Sequence, residues 1–176
     1  MEVHAELPLK LVIRDAATEW QLSFAKEAAV VVLRIGGVSG QATDDGLVLR
    51  ALTEQALEEA IVAVSSKFPS AVPGRPEVVY LNEPELLEPY ARVSVAPVAD
   101  DCLGDVLLDL GHRRALIEKL IPGDTGKRIE AEVPLVEMFG YKATLGSLSR
   151  GRASFILSFS RYVPVHPPHL PPAMRA

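Results

Sequence analysis

The sequence predicts an α+β protein made of two successive βαββαβ units, each an antiparallel sheet with helices on one face. Three observations lead there. Period-two apolar alternation in "ARVSVAP" and "ASFILSFSRY" marks half-buried strands. The i, i+3, i+4, i+7 spacing inside "DDCLGDVLLDLGHRR" marks an amphipathic helix. Turn-rich stretches such as "PGDTGK" and "FPSAVPGRP" interrupt the chain at strand-length intervals.

In the first half, "LKLVIRD" reads as the opening strand and "AATEWQLSFAKEA" as the first helix. "VVVLRIGG" and "GLVLRAL" are the expected middle strands, with "VSGQATDD" as the loop between them. Leu57, Ala60, Ile61 and Val64 give the second helix its core face, and "PEVVYL" closes the unit. The acidic segment "NEPELLEP" reads as a linker, so the expected domains are residues 1–84 and 85–163, followed by a Pro-rich tail at 164–176.

The second half repeats the rhythm more clearly. Val93 and Val95 face one side of the first strand, Arg92 and Ser94 the other. Leu103, Val106, Leu107 and Leu110 line the helix that follows. Asp100 and Asp101 suit its start, while Arg113 and Arg114 suit its end through the helix dipole. "ALIEKLI" and "RIEAEVPL" are strands joined by "PGDTGK", with Ile129, Ala131 and Val133 on the apolar face. Pro134 lacks the N–H a ladder needs and ends the second of these strands. Leu135, Met138 and Phe139 then recur at helical spacing, and Phe155, Leu157 and Phe159 share a face of the closing strand. Each unit is thus expected to be a ferredoxin-like sandwich.

With 48% hydrophobic and 23% charged residues in 176, the composition is that of a soluble globular protein. No apolar run approaches the roughly 18 to 20 residues a membrane helix needs, and "MEVHAELPLK" lacks a signal-peptide plan. No membrane partner is expected. One cysteine, Cys102, rules out an internal disulfide and suits a reducing cytoplasm. Up to Glu83 the chain has seven Lys or Arg against twelve Asp or Glu, and from Pro84 onward eleven of each. Neither half carries the basic footprint of bulk nucleic-acid binding, so any RNA contact must be local.

"LLEPYARVSV", "GDVLLDLGHRR", "EVPLVEMFGY" and "SLSRGRASF", in that order and spacing, resemble the fifth, C-terminal domain of bacterial translation elongation factor G across roughly Leu86 to Tyr162. Tetracycline ribosomal-protection factors share this domain. "PEVVYLNEP" and "DGLVLRALTEQALEEAI" are similar to the third domain of the same factors. Of that family's Gly-Glu-Leu-His-Leu, only Glu54 and Leu57 persist in Thr53-Glu54-Gln55-Ala56-Leu57. The family's GTPase domain, β-barrel and fourth domain have no counterpart in this sequence. Its only "GK", Gly126-Lys127, is followed by Arg128 and has Ile121 where a P-loop needs glycine. GTP hydrolysis is therefore not expected.

The resemblance implies a partner in the factor-binding region of the ribosome, near large-subunit rRNA, with Arg113, Arg114, Arg150 and Arg152 as candidate RNA contacts. The same arginines also suit a solvated surface at helix C-termini. Where the family commonly has Asp-Leu-Arg-Ser, this chain has Thr144-Leu145-Gly146-Ser147. Glu54, Leu57, Leu135, Met138, Phe139 and Tyr141 are candidates for an interdomain or ligand interface, because antibiotics can bind between the third and fifth domains of such factors. Glu137 has no His or nucleophile placed beside it and is expected to pair with a helix end or a neighbouring Arg. His4, His112, His166 and His169 lack metal spacing, and Cys102 falls on the non-core side of its helix. No catalytic residue, metal or cofactor is expected. The leading expectation is a non-catalytic module that binds the ribosome or a translation factor. The alternatives are a decoy that sequesters an antibiotic, and a degenerate or engineered fragment without activity of its own.

Overall fold

The structure, a computed structural model, describes residues 7–82 and 85–165. Its contacts divide the chain into two units, Met1–Val79 and Tyr80–Ala176. Both are antiparallel sheets with helices packed on one face, in the ferredoxin-like arrangement.

In the first unit β1 (Leu9–Asp15), α1 (Gln21–Val32), β2 (Val38–Thr43), β3 (Gly46–Ala51), α2 (Glu54–Lys67), β4 (Ala71–Pro73) and β5 (Glu77–Val78) follow in order. The sheet runs β2-β3-β1-β4, with β5 also on β1. Leu9, Leu11 and Ile13 from β1 and Leu47, Leu49 and Ala51 from β3 turn one face inward. Phe24, Ala25, Ala28 and Val32 of α1 and Leu57, Ala60 and Val64 of α2 cover it.

Two expectations fail here. "VVVLRIGG" is not a strand: Val30–Val32 finish α1, because Val32 continues the buried stripe of Ala25 and Ala28. Tertiary packing overrides the β preference of three consecutive valines. "VSGQATDD" is not a loop but contains β2, an edge strand whose half-buried residues need no apolar alternation. Gly40 belongs there because a Cβ would already touch Val32 at 3.4 Å, so the helix lies close over the edge. The closing strand also differs. It begins inside "FPSAVPGRP" as β4, breaks at Gly74–Pro76, and rejoins β1 as β5. Pro73 is tolerated because β4 lies at the sheet edge.

The second unit comprises β6 (Leu81–Asn82), β7 (Leu86–Val98), α3 (Asp100–His112), β8 (Leu116–Gly123), β9 (Gly126–Pro134), a 3-10 turn (Leu135–Met138), α4 (Tyr141–Leu148) and β10 (Ser154–Pro164). Its sheet runs β10-β7-β9-β8. Leu86 to Pro89, expected as linker, form the start of the 13-residue β7. They pair with β10 up to Leu87 opposite Pro164, and the N–H of Val165 donates to the Leu86 carbonyl at 2.9 Å. Val93, Val95, Ile129, Ala131 and Val133 form the inner face under Cys102, Val106 and Leu110 of α3 and Tyr141 and Leu145 of α4. Cys102 is therefore a core residue, contrary to expectation, while Leu103 and Leu107 pack only partly against the core. Helix α3 enters one residue earlier in phase than the leucine pattern implies.

Nor do Asp100 and Asp101 cap α3. Ala99 is the N-cap, and the two carboxylates sit in the first turn, where the dipole still favours them. The helix expected over Leu135–Phe139 is a single 3-10 turn, broken at Gly140, whose φ of 70° no helix continues through. Leu135 and Met138 are buried, but Phe139 is only half-buried.

The β8–β9 turn explains one glycine. Gly126 has φ 141°, and a Cβ there would lie 2.6 Å from the Val98 carbonyl oxygen. Gly126→Ala is expected to cost about 1–3 kcal/mol, a combined cost of backbone strain and of displaced neighbours. Urea unfolding of the variant against the parent checks it, and an unchanged midpoint would refute the close approach.

Candidate functional site

The segment "VPLVEMFGY" and the helix end "GHRR" meet in the second unit, and the arginines decide how. Helix α3 closes in a Schellman motif. The N–H of Ala115 donates to the Leu110 carbonyl at 3.0 Å, and that of Arg114 to Gly111 at 3.1 Å. This places Arg114 in the left-handed region, φ 61°, a position usually given to glycine. An arginine there carries a backbone cost that its side chain can offset.

The compensation is visible. Arg114 forms a fork on Glu88, Nη1 to Oε1 and Nη2 to Oε2, both 3.0 Å, and its Nε donates to Glu137 Oε1 at 2.9 Å. The Glu88 side chain is 4% exposed. Burial disfavours the charge on Arg114, but the hydrogen bonds and charges of Glu88 and Glu137 outweigh it and raise the pKa. Glu137 thus pairs with a neighbouring Arg.

Arg113 is committed as fully. Nε donates to Asp109 at 2.9 Å, Nη1 to the carbonyls of Glu137 and Phe139, and Nη2 to Thr144 Oγ1 at 3.1 Å. Its guanidinium lies 5.0 Å over the ring of Tyr141. Both arginines therefore tie the 3-10 turn to the end of α3, with four hydrogen bonds from Arg113 and three from Arg114 to protein acceptors. Thr144, where the resembled family has Asp, takes part in this clamp through its hydroxyl.

The other two arginines sit at the end of α4, which closes the same way. Gly151 donates to Gly146 at 2.8 Å and Arg150 to Ser147 at 3.3 Å, with Arg150 at φ 55°. Arg152 Nη2 holds both oxygens of Asp101, at 2.9 and 2.8 Å, and its Nε donates to the Ser149 carbonyl. The hydrogen bond from Arg152 lowers the Asp101 pKa. Arg150 differs from the rest. Its side chain is 81% exposed and approaches Asp101 only at 3.9 Å.

Of the interface candidates, Leu57 is buried in the first unit and Glu54 opens α2 beside the N-cap Thr53. Leu135, Met138 and Tyr141 are buried in the second unit, with Phe139 half-buried beside them. His112 ends α3, whereas His4, His166, His169 and the Pro-rich tail from residue 166 on lie outside the described residues. Among the described residues no cluster of His, Cys, Asp or Glu is arranged to hold a metal, and no helix is long and apolar enough to cross a membrane.

Sequence reasoning missed Glu88 and a second buried carboxylate, Glu132. Glu132 accepts from Arg161 Nη2 at 2.7 Å and from the Ser160 hydroxyl, with Arg92 at 3.8 Å. An acidic residue inside a strand is the available signal, since a buried carboxylate must find a cation.

Tyr141 is the one described buried side chain whose polar atom, its hydroxyl, has no hydrogen-bond partner. Its ring packs edge-on against Phe155 at 5.0 Å. Burial raises its pKa well above the ordinary 10.0, Asp109 adds to the effect and Arg113 opposes it. The folded protein thus holds this proton more tightly than the unfolded chain. The stability it confers is whole below pH 10.0 and is lost as pH climbs beyond that value. Tyr141→Phe should leave neutral-pH stability unchanged or raise it by up to about 1–2 kcal/mol, since no hydrogen bond is lost. It should also lessen the alkaline loss, as urea titrations at neutral and alkaline pH would register.

Removing one side of the buried pair has the opposite sign. Arg114→Met should cost about 3–5 kcal/mol by stranding Glu88, and adding Glu88→Leu should recover much of that. Equal destabilisation by the single and double variants in calorimetry would refute the pairing.

Residues 85–171 match the family model described as "Elongation factor G C-terminus". The chain is 48% identical over 82 residues to elongation factor G 2 of Shewanella sp. (strain MR-4). It is 46% identical over 81 residues to elongation factor G 2 of Saccharophagus degradans, and 48% over 81 residues to elongation factor G 1 of Methylococcus capsulatus. These stretches cover 46–47% of this chain and 12% of each relative.

Proposed function

Because its second unit is an elongation factor G C-terminal domain, we propose that this chain is a non-catalytic binding module that docks on the factor-binding region of the ribosome. The match over residues 85–171 carries this reading. Arg150 is the side chain best disposed to meet RNA there. It is exposed, stands at a helix end and has no close acceptor to offset its left-handed backbone. A residue kept in an unfavourable conformation without an internal gain is a candidate for an external one. Arg113 and Arg114 support the docking surface by shaping it and not by touching RNA, and Arg152 aligns the end of α4 against Asp101.

Glycine at position 150 separates function from stability. Gly adopts this conformation without strain, so Arg150→Gly should leave stability equal or higher, by up to about 1 kcal/mol. The same change should weaken ribosome binding and flatten its salt dependence. Co-sedimentation with ribosomes at graded salt measures the second effect and thermal unfolding the first. No co-sedimentation of the parent chain at moderate salt would overturn the docking proposal. Binding undiminished in Arg150→Gly would remove Arg150 from it.

A further inference from the structure

Strand β8 is an edge of the second sheet: β9 lies on one side, and no described strand lies on the other. All eight of its residues are exposed, including Leu116, Ile117, Leu120 and Ile121. Edges of this kind are usually blunted by charge, a bulge or a short length. β8 has a central charged pair, Glu118-Lys119, and a register shift between Ile117 and Lys119. Neither prevents one particular occupant.

Antiparallel pairing of "LIEKLI" with itself, about a two-fold axis between Glu118 and Lys119, sets Leu116 opposite Ile121, Ile117 opposite Leu120 and Glu118 opposite Lys119. Every pair is then apolar with apolar or acid with base. Shifting the register by one residue either way places Glu118 on Glu118 or Lys119 on Lys119, and like charges directly opposite are unfavourable.

The faces agree as well, and the register shift is the reason. In a regular strand Leu116 and Ile121, five residues apart, would point to opposite faces. Here Leu116, Lys119 and Ile121 pair with Glu132, Glu130 and Arg128 of β9, on the face away from the helices. Ile117 and Leu120 pair with Ala131 and Ile129, on the helix-bearing face. The bulge absorbs one residue at Glu118, so each two-fold partner lies on the same face as its mate.

We propose that β8 is a self-complementary edge through which two copies of this chain join their second sheets into one continuous sheet across a two-fold axis. Such a contact is isologous and closes, so it yields a dimer and not a fibre. One strand pair buries less than the area of a stable interface, so the dimer is weak and concentration-dependent.

Sedimentation velocity on the full chain, up to its solubility limit, tests the proposal. The parent should move from monomer toward dimer with rising concentration. Glu118→Lys and Lys119→Glu, each alone, should shift the curve toward monomer by placing like charges opposite. The double exchange restores acid against base and should recover dimerisation. Lys119 lies opposite Glu130 of β9 at 3.7 Å, so Lys119→Glu also sets like charges opposite within the exposed face of the monomer and should lower its melting temperature modestly. Glu118, at the bulge, has no register partner on β9, and its reversal should leave the melting temperature, recorded for each variant, nearly unchanged. A parent that stays monomeric throughout overturns the proposal. So does a dimer indifferent to the single reversals, or one that the double exchange fails to restore in a folded protein. Ribosome binding can fail or succeed independently of each outcome.

Discussion

Two adjacent arginines at the end of one helix govern the second unit. Arg114 accepts a left-handed backbone so that its guanidinium can fork onto Glu88 and reach Glu137. Arg113 turns the other way and gathers Asp109, two turn carbonyls and Thr144. The short turn after Pro134 cannot bury its own polar backbone without such donors, because a 3-10 turn leaves most carbonyls unmatched. The arginines therefore fix where α4 starts, and with it the position of Tyr141 and Leu145 over the sheet. A buried ion pair is a poor source of net stability, but it is a good source of uniqueness when only one geometry satisfies every charge.

Both helices of this unit end in the same motif with arginine at the left-handed position, yet the two are settled differently. At Arg114 the side chain finds buried carboxylates, whereas at Arg150 it projects into solvent. The repeated backbone device produces one internal clamp and one outward-facing cation. Sequence inspection alone treats the four arginines as equivalent. The structure sorts them by what their forks already hold.

Much of the architecture was legible in the residues. β1, β3, β7 and β9 place mostly every second residue on a helix-covered face, and β10 alternates half-buried with exposed residues. The apolar members of that period of two survive in the sequence. What escaped notice had physical causes. β2 lies at an edge, so no burial demand shaped "VSGQAT", while Val30–Val32 obey a helical stripe despite their β preference. The leucine spacing of α3 points to Leu103 and Leu107, but Cys102 takes the inner position with Val106 and Leu110. For the candidate site, Glu137's partnership with an arginine could be anticipated from its neighbours. Glu88 could not be matched to Arg114 because the left-handed residue that closes α3 is Arg114 itself, with no glycine at that position to announce the turn.

The pairing of Leu87 with Pro164, backed by the bond from Val165 to Leu86, brings the start of β7 and the end of β10, the first and last long strands of the second unit, side by side. A sheet whose first and last long strands lie against each other spans only a short end-to-end distance, however many residues are folded between them. Chain joined at two such neighbouring points keeps the spacing of what lies on either side almost unchanged, whatever the length folded between them.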